Sequence, residues 1–262
     1  MKTRIITAIV GLIIFLPIII IGKWPFIIFI TLIAALSFLE ILKMKNIKLF
    51  SFPSLIGLVL LIIFMLRKQL IDISSLNAYN LVEFFFIGIF LLLIYTVLKK
   101  NRFSFDDVGF VFLSLLYVGI GFSYFIETRF VGLEYVLFVL TIIWLTDTGA
   151  YFIGRSFGKK KLWPAISPNK TVEGFFGGII CAVIATSIFQ IIHPLHDNFI
   201  IVILVTILAS ILAQIGDLVE SAIKRKYNVK DSGQLLPGHG GVLDRFDSLI
   251  FMVPFLHFIQ FI

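Results

Sequence analysis

The chain is 262 residues long, 60% of them hydrophobic and only 14% charged, with a mean hydropathy of +1.08. A water-soluble domain carries about a quarter charged residues and could not hide this much apolar surface, so lipid must form part of the solvent. The net charge of +7 does not indicate nucleic-acid binding, because the basic residues lie between apolar runs, where topology and anionic headgroups account for them. We therefore expect a lipid bilayer as partner and no nucleic acid.

Apolar segments dominate the whole chain, and a helix that crosses a bilayer needs about 20 such residues. The first segment follows Met1-Lys2-Thr3-Arg4 and resembles a signal sequence. Because no small-x-small cleavage site follows it, we interpret it as an uncleaved transmembrane helix. The predicted fold is all-α, a polytopic membrane helix bundle. Its nine predicted spans, of which the third and ninth are the shortest, cover residues 5–22, 25–42, 53–67, 81–98, 108–126, 132–154, 174–192, 199–221 and 247–262.

The distribution of lysine and arginine predicts the orientation of these spans. With a cytoplasmic N-terminus, the inside segments hold 18 of these residues and the outside segments hold 4. Basic residues concentrate on the cytoplasmic side of membrane proteins, so the C-terminus is predicted to lie outside. We treat the chain as one membrane unit, with helices in residues 1–130 and helices with cytoplasm-facing catalytic loops in residues 131–262. The expected location is the cytoplasmic (inner) membrane of a prokaryote.

Two predicted spans carry polar groups that are costly in lipid. Asp147 lies in the sixth span, roughly 10 Å from its cytoplasmic end at 1.5 Å per residue. It is either a functional residue or a structural partner of Arg155 or of a lysine on another helix. The eighth span carries a polar stripe at helical spacing, which must face the bundle interior or a water-filled cavity. An interhelical hydrogen-bond seam would explain the deeper part of the stripe equally well. The stripe consists of Ser210, Gln214, Asp217, Ser221 and Lys224.

The loop after the eighth span, residues 222–246, is the most informative stretch. Pro237-Gly238 and Gly240-Gly241 predict tight turns whose backbone amides can cradle phosphate oxygens. Carboxylates that could hold Mg²⁺ are combined here with cations that could neutralise phosphate, which suits phosphoryl or nucleotidyl transfer. The carboxylates are Asp217, Asp231, Asp244 and Asp247, and the cations are Lys224, Arg225, Lys230 and Arg245. Glu220, four residues before Lys224, is interpreted as part of a stabilising surface ion pair.

The loop after the sixth span, residues 155–173, carries a basic run that topology explains by itself. Its second half reads Ser167-Pro168-Asn169-Lys170-Thr171. The residues favour two interpretations of this segment equally. The segment is either a polar turn with an N-cap that begins the seventh helix, or a segment from which Lys170 reaches a nucleotide phosphate.

The stretch from Ser221 to Asp247 resembles the signature of the phosphatidate cytidylyltransferase (CDP-diacylglycerol synthase) family. That pattern ends in H-G-G-apolar-x-D-R-apolar-D, and every specified position matches across 27 residues. Upstream, the segments 147–155 and 167–174 also resemble the family, whereas residues 1–140 match only in being hydrophobic helices. The family often has Lys at the position of Asn169, which leaves Lys170 as the matched basic residue.

The resemblance implies transfer of a cytidylyl group from CTP to phosphatidic acid, with release of pyrophosphate, in phospholipid biosynthesis. It also implies dependence on Mg²⁺ and on a second cation, for which a monovalent ion is one candidate, with Asp217 and Asp244 as metal ligands. A homodimer is a further expectation. The candidate catalytic residues are Asp217, Asp244, Lys224, Arg245, His239 and Asp247. The candidate substrate-binding residues are Asp147, Ser167, Lys170, Arg225, Lys230, Asp231, Gly240 and Gly241.

Two alternatives remain beside this prediction. A membrane transporter would need polar access from both faces, but the polar residues gather at the predicted cytoplasmic side. A CTP-dependent lipid kinase would also use CTP and Mg²⁺. Its products would be a phosphorylated lipid and CDP instead of a nucleotidyl lipid and pyrophosphate.

Overall fold

The computed structural model describes residues 2–68, 81–236, 238 and 240–262. Within these ranges the chain forms nine α-helices, a 3₁₀ turn at Leu243–Arg245 and a two-stranded antiparallel sheet. The helices are α1 (Lys2–Ile21), α2 (Lys23–Met44), α3 (Phe52–Met65), α4 (Leu81–Leu98), α5 (Phe105–Val131), α6 (Leu133–Phe157), α7 (Val172–Ile192), α8 (Phe199–Lys226) and α9 (Asp247–Phe258). The strands are β1 (Lys161–Trp163) and β2 (Ser167–Thr171). The predicted site residue His239 lies outside the described residues.

The helices confirm a multi-pass membrane protein. Among the residues that the structure describes, six helices, α2 and α4 to α8, are long and apolar enough to cross a bilayer. The ninth helix has 12 residues and ends at Phe258, so it is shorter than the span predicted over residues 247–262. At 1.5 Å per residue it extends about 18 Å, less than the roughly 30 Å of the hydrocarbon core. The inside or outside placement of the termini stays a prediction.

The surface of the bundle fits contact with lipid. Along α7, Ile180, Ile184 and Ile188 recur at helical spacing, and each is more than half exposed. Fully buried phenylalanines, among them Phe122 of α5 and Phe138 of α6, fill the interior instead. The exposed face and the buried face are both apolar. Apolar surface is therefore removed from water in two places, the protein interior and the bilayer.

Helices α6 and α7 form an antiparallel pair with close backbone contact. A Cβ atom built on Gly178 would lie 2.7 Å from the Thr146 carbonyl oxygen, and one on Gly174 would lie 2.7 Å from the Ala150 carbonyl oxygen. Only glycine fits at such distances, and small residues commonly let helices approach in this way within membranes. The close packing fixes the position of α7 along the axis of α6, the helix that carries Asp147.

The connection between α6 and α7 differs from the predicted polar turn. Strands β1 and β2 form a hairpin in which Lys161 pairs with Thr171 and Trp163 pairs with Ser167. The all-α prediction is confirmed for the bundle, and this short hairpin is an addition that the sequence did not predict, because Pro, Asn and Lys in the second half of the loop gave a turn composition without strand periodicity. The alternative of an N-cap is confirmed, since the Thr171 hydroxyl accepts a hydrogen bond from the Gly174 amide.

The loop after α8 folds back into the bundle. Val242 and Leu243 are buried, at 5% and 0% exposure, and the 3₁₀ turn contacts α2 and α9. At Gly216 of α8 an added Cβ would lie 2.7 Å from the Asp247 carbonyl oxygen, so the beginning of α9 packs directly on α8. The loop consequently brings its charged residues against the polar stripe of α8.

Candidate active site

The polar stripe of α8 faces the protein interior, as predicted. In its deeper part, the Ser210 hydroxyl shares a 2.8 Å hydrogen bond with Thr146, and the Gln214 side-chain amide donates to the Phe175 carbonyl oxygen at 3.2 Å. This part is therefore an interhelical seam. Toward the end of α8 the stripe carries Asp217 and Lys224, and charged groups from both loops gather there.

Lys170 and Asp217 join the two loops. The Lys170 Nζ lies 2.6 Å from Asp217 Oδ2, and the Ser221 hydroxyl donates to Asp217 Oδ1 at 3.3 Å. The lysine side chain is 23% exposed and the aspartate 33% exposed, so this pair is only partly covered by protein. Strand β2, which ends next to Lys170, gives the lysine this position.

Lys224 lies between two buried carboxylates. Its Nζ is 2.6 Å from Glu220 Oε2 and 2.6 Å from Asp244 Oδ1. The interpretation of Glu220 as part of a surface pair is wrong, because its side chain is 1% exposed. The i,i+4 spacing was correct, but the loop that folds back over this face of α8 could not be inferred from helical periodicity. Glu220 Oε1 is buried without a hydrogen-bond partner.

Asp244 is held by several donors. Its Oδ2 accepts hydrogen bonds from the Ser232 amide at 2.9 Å, the Ser232 hydroxyl at 2.9 Å and the Gly241 amide at 2.8 Å. Burial by itself would raise the pKa of Asp244, but hydrogen bonding with Glu220, with Lys224 and from Gly241 lowers that pKa to about 2. Asp244 is consequently ionised at any physiological pH and is suited to hold a cation.

Two further carboxylates, those of Asp147 and Asp247, lie near these pairs. Asp147 is exposed, and it interacts electrostatically with Asp217, Lys170 and Arg245. Asp247 accepts a hydrogen bond from the Ser248 amide at 2.7 Å and interacts with Asp147 and Asp217.

Tyr117 of α5 was not predicted as a site residue. Its hydroxyl is buried without a hydrogen-bond partner, near the charges of Asp247, Glu220 and Asp217. One tyrosine among many aromatic residues in an apolar span gives no sequence signal. Only the packing of α5 against this cluster reveals it.

The glycines of the loop after α8 form the tight turn that the sequence predicts. Gly238 and Gly240 have φ values of +76° and +85°, a region that favours glycine. The Leu236 amide donates to the Gly240 carbonyl oxygen at 3.1 Å and closes the turn. A side chain at Gly240 would also collide with the Asp244 carboxylate, so the backbone approaches that carboxylate closely.

Several predicted site residues lie outside the cluster. Lys230 and Asp231 are exposed, and in the part of the chain that the structure describes, neither they nor Ser167 form a side-chain hydrogen bond or ion pair with it. Arg225 donates to the Ile166 carbonyl oxygen at 3.2 Å and so attaches the end of α8 to the β hairpin. Substrate roles for these four residues stay predictions.

The donor set is compatible with Mg²⁺ held jointly by protein and substrate. Among the described residues, no group of three or more His, Cys, Asp or Glu side chains converges as a metal cage. Mg²⁺ usually takes only one or two protein carboxylates, together with substrate phosphates and water. Asp217 and Asp244 each have a carboxylate oxygen beside a lysine ammonium, which is a position where a cation is electrostatically favoured.

The fold and the cluster together define a multi-pass membrane protein with a partly exposed cluster of lysine and carboxylate side chains. The chain belongs to the Cytidylyltransferase family, whose sequence model matches residues 2–262. It is 50% identical over 262 residues to the phosphatidate cytidylyltransferase of Bacillus subtilis (strain 168), covering 99% of this chain and 97% of that protein. Proteins of the same name from Staphylococcus epidermidis (strain ATCC 12228 / FDA PCI 1200) and Staphylococcus haemolyticus (strain JCSC1435) are 51% and 50% identical, each over 98% of both chains.

Proposed function

We propose that the chain is a phosphatidate cytidylyltransferase that converts CTP and phosphatidic acid into CDP-diacylglycerol and pyrophosphate. The observation that carries the proposal is the 50% identity to the Bacillus subtilis protein across nearly the whole of both chains. The bacterial relatives and the six long apolar helices support a location in the cytoplasmic membrane, where the reaction supplies phospholipid biosynthesis.

The reaction requires two polyanions to meet at one phosphorus atom. A phosphate oxygen of phosphatidic acid forms a bond to the α-phosphorus of CTP, and the bond from that phosphorus to the bridging oxygen of the β-phosphate breaks. Since the nucleophile is already an anion, the main barriers are charge repulsion and alignment. Lys170, Lys224 and Arg245 supply positive charge for both substrates.

Asp217 and Asp244 would hold Mg²⁺, and Asp147, Asp247 and Asp231 would hold a second cation or ordered water. Bound Mg²⁺ would offset charge on the triphosphate and on the departing pyrophosphate. Lys170 and Lys224 would then leave their carboxylates and neutralise phosphate oxygens. The short Lys170–Asp217 and Lys224–Asp244 pairs support this exchange of cations, because a metal and a lysine compete for the same oxygens. A cytoplasmic site and a homodimer belong to the same proposal.

Labelled CTP distinguishes the proposed reaction from a lipid kinase. The purified protein in detergent is incubated with phosphatidic acid, Mg²⁺ and CTP labelled at either the α- or the γ-phosphate. The proposal predicts lipid label from α-labelled CTP only, with the γ-label recovered in pyrophosphate. Label in lipid from γ-labelled CTP would establish the kinase, and protein that binds CTP but labels no lipid would overturn both enzymes.

A further inference from the structure

Glu40 of α2 is a buried carboxylate that the proposed chemistry does not use. Its side chain accepts three hydrogen bonds, all from the loop after α8. Oε1 accepts from the Val242 amide at 2.9 Å, and Oε2 accepts from the Leu243 amide and from the Ser232 hydroxyl, both at 2.9 Å. A buried carboxylate requires such donors, and α2 is thereby joined to the loop that carries Asp244.

The two backbone donors begin the 3₁₀ turn that presents Asp244. Val242 precedes the turn and Leu243 is its first residue. The first amides of a helical turn have no partner inside the turn, so Glu40 supplies the acceptor that they lack. Movement of Glu40 would therefore change the direction in which the turn points Asp244 and Arg245.

Ser232 connects Glu40 to Asp244 directly. The Ser232 hydroxyl oxygen lies 2.9 Å from Glu40 Oε2 and 2.9 Å from Asp244 Oδ2. A hydroxyl has one proton, so it donates to only one of the two carboxylates at a time. The charge on Glu40 thus influences how firmly Asp244 is held.

Two glycines make room for this arrangement. A side chain at Gly233 or Gly241 would collide with the Glu40 carboxylate, and one at Gly241 would also lie 2.6 Å from the Gly233 amide nitrogen. Neither glycine has a positive φ, so space, not backbone conformation, requires glycine here. Contact with the Glu40 carboxylate therefore explains why the second residue of the Gly240-Gly241 pair is glycine.

We propose that Glu40 is a positioning residue for nucleotidyl transfer, which holds the 3₁₀ turn so that Asp244 faces Lys224 and the cation site. The inference rests on the proposed function and assigns Glu40 no contact with substrate. Groups that act on a metal site through its ligands commonly change metal affinity or activity by about 10- to 100-fold when they are replaced.

The test compares Glu40→Gln with a destabilised control. Glutamine keeps the size of the side chain, but in either orientation its NH₂ group meets the Val242 or the Leu243 amide, a donor facing a donor. The control is Ile30→Ala, which creates a cavity on the same helix. Ile30 is 0% exposed and lies ten residues away, at about 15 Å along α2, so it lowers the melting temperature without touching the turn.

Three measurements are made on both full-length variants in detergent: kcat as a function of Mg²⁺ concentration, Mn²⁺ binding by electron paramagnetic resonance, and amide exchange in the peptide that contains Val242 and Leu243. For Glu40→Gln we expect about a tenfold or larger loss in kcat or in apparent metal affinity and faster amide exchange. Ile30→Ala should retain wild-type values for all three at temperatures where it is folded.

Glu40→Gln that loses melting temperature but keeps the wild-type metal dependence and amide exchange would overturn the inference and leave a purely structural role. If the wild-type protein makes no nucleotidyl lipid, the proposed function fails. Mn²⁺ binding and amide exchange still decide the role of Glu40 in that case, because neither requires turnover.

Discussion

Replacing Lys224 with methionine removes the cation that lies between Glu220 and Asp244. The three side chains are 13%, 1% and 7% exposed, so water cannot replace the ammonium group. Removing one partner of a buried ion pair costs about 3–5 kcal/mol of folding free energy. Asp244 keeps its hydrogen bonds from Ser232 and Gly241, which places most of the penalty on Glu220. We therefore expect a loss near the lower end, about 3 kcal/mol.

The double variant Lys224→Met with Glu220→Gln separates stability from function. Glutamine carries no charge and can donate to Asp244, so the double variant should recover most of the lost folding free energy. Neither variant should catalyse nucleotidyl transfer at more than about a hundredth of the wild-type rate, because the cation that faces the phosphates is absent from both.

The assay is denaturant-titrated unfolding in mixed micelles followed by circular dichroism, with lipid labelling from α-labelled CTP measured in parallel. A Lys224→Met variant as stable as the wild type would refute the reasoning about buried charge. A double variant no more stable than the single variant would refute the assignment of the penalty to Glu220. Full activity in the double variant would show that Lys224 takes no part in the reaction.

Two further predictions concern Asp244 and its glycine turn. The folded pKa of Asp244, about 2 against 3.8, contributes about 2 kcal/mol of stability above pH 4, which is lost as the pH falls toward 2. In EDTA, the difference in folding free energy between the wild type and Asp244→Asn should therefore stay constant from pH 5 to pH 8 and decrease below pH 4, and a change near neutrality would contradict this. Gly240→Ala should lower activity by about tenfold or more, because its φ is +85° and its Cβ meets Asp244. The control Gly109→Ala, with no heavy atom within 4 Å of the added Cβ, should leave activity unchanged. Equal activities of the Gly240→Ala and Gly109→Ala variants would show that the conformation of the turn does not affect catalysis.

The parts of the account that could be predicted from the sequence are those that depend on local spacing. Apolar length gave the helices, and helical spacing placed Asp217 and Lys224 on one interior face of α8. The intramembrane position of Asp147 predicted either a functional residue or a structural ion pair, and Asp147 lies near Asp217 and Lys170. The positive φ values of Gly238 and Gly240 agree with the predicted tight turn.

The parts that could not be predicted depend on how distant segments pack. The burial of Glu220 follows from the loop that folds back over α8. The positions of Glu40 and Tyr117 follow from the packing of α2 against this loop and of α5 against the cluster. A glutamate within the apolar run Phe38-Leu39-Glu40-Ile41-Leu42 was a usable signal by the same rule that marked Asp147. The partner of such a residue, however, is visible only in three dimensions.

The most direct test of the central claim measures α-label transferred from CTP to phosphatidic acid by Asp217→Asn and Asp244→Asn. Asp197→Asn is the matched control, since Asp197 is exposed in the connection between α7 and α8. We expect the wild type and Asp197→Asn to label the lipid at equal rates in the presence of Mg²⁺. Each of the other two variants should lose about 100-fold or more of the rate. Wild-type rates in both Asp217→Asn and Asp244→Asn would contradict the account and place the reaction elsewhere on the protein.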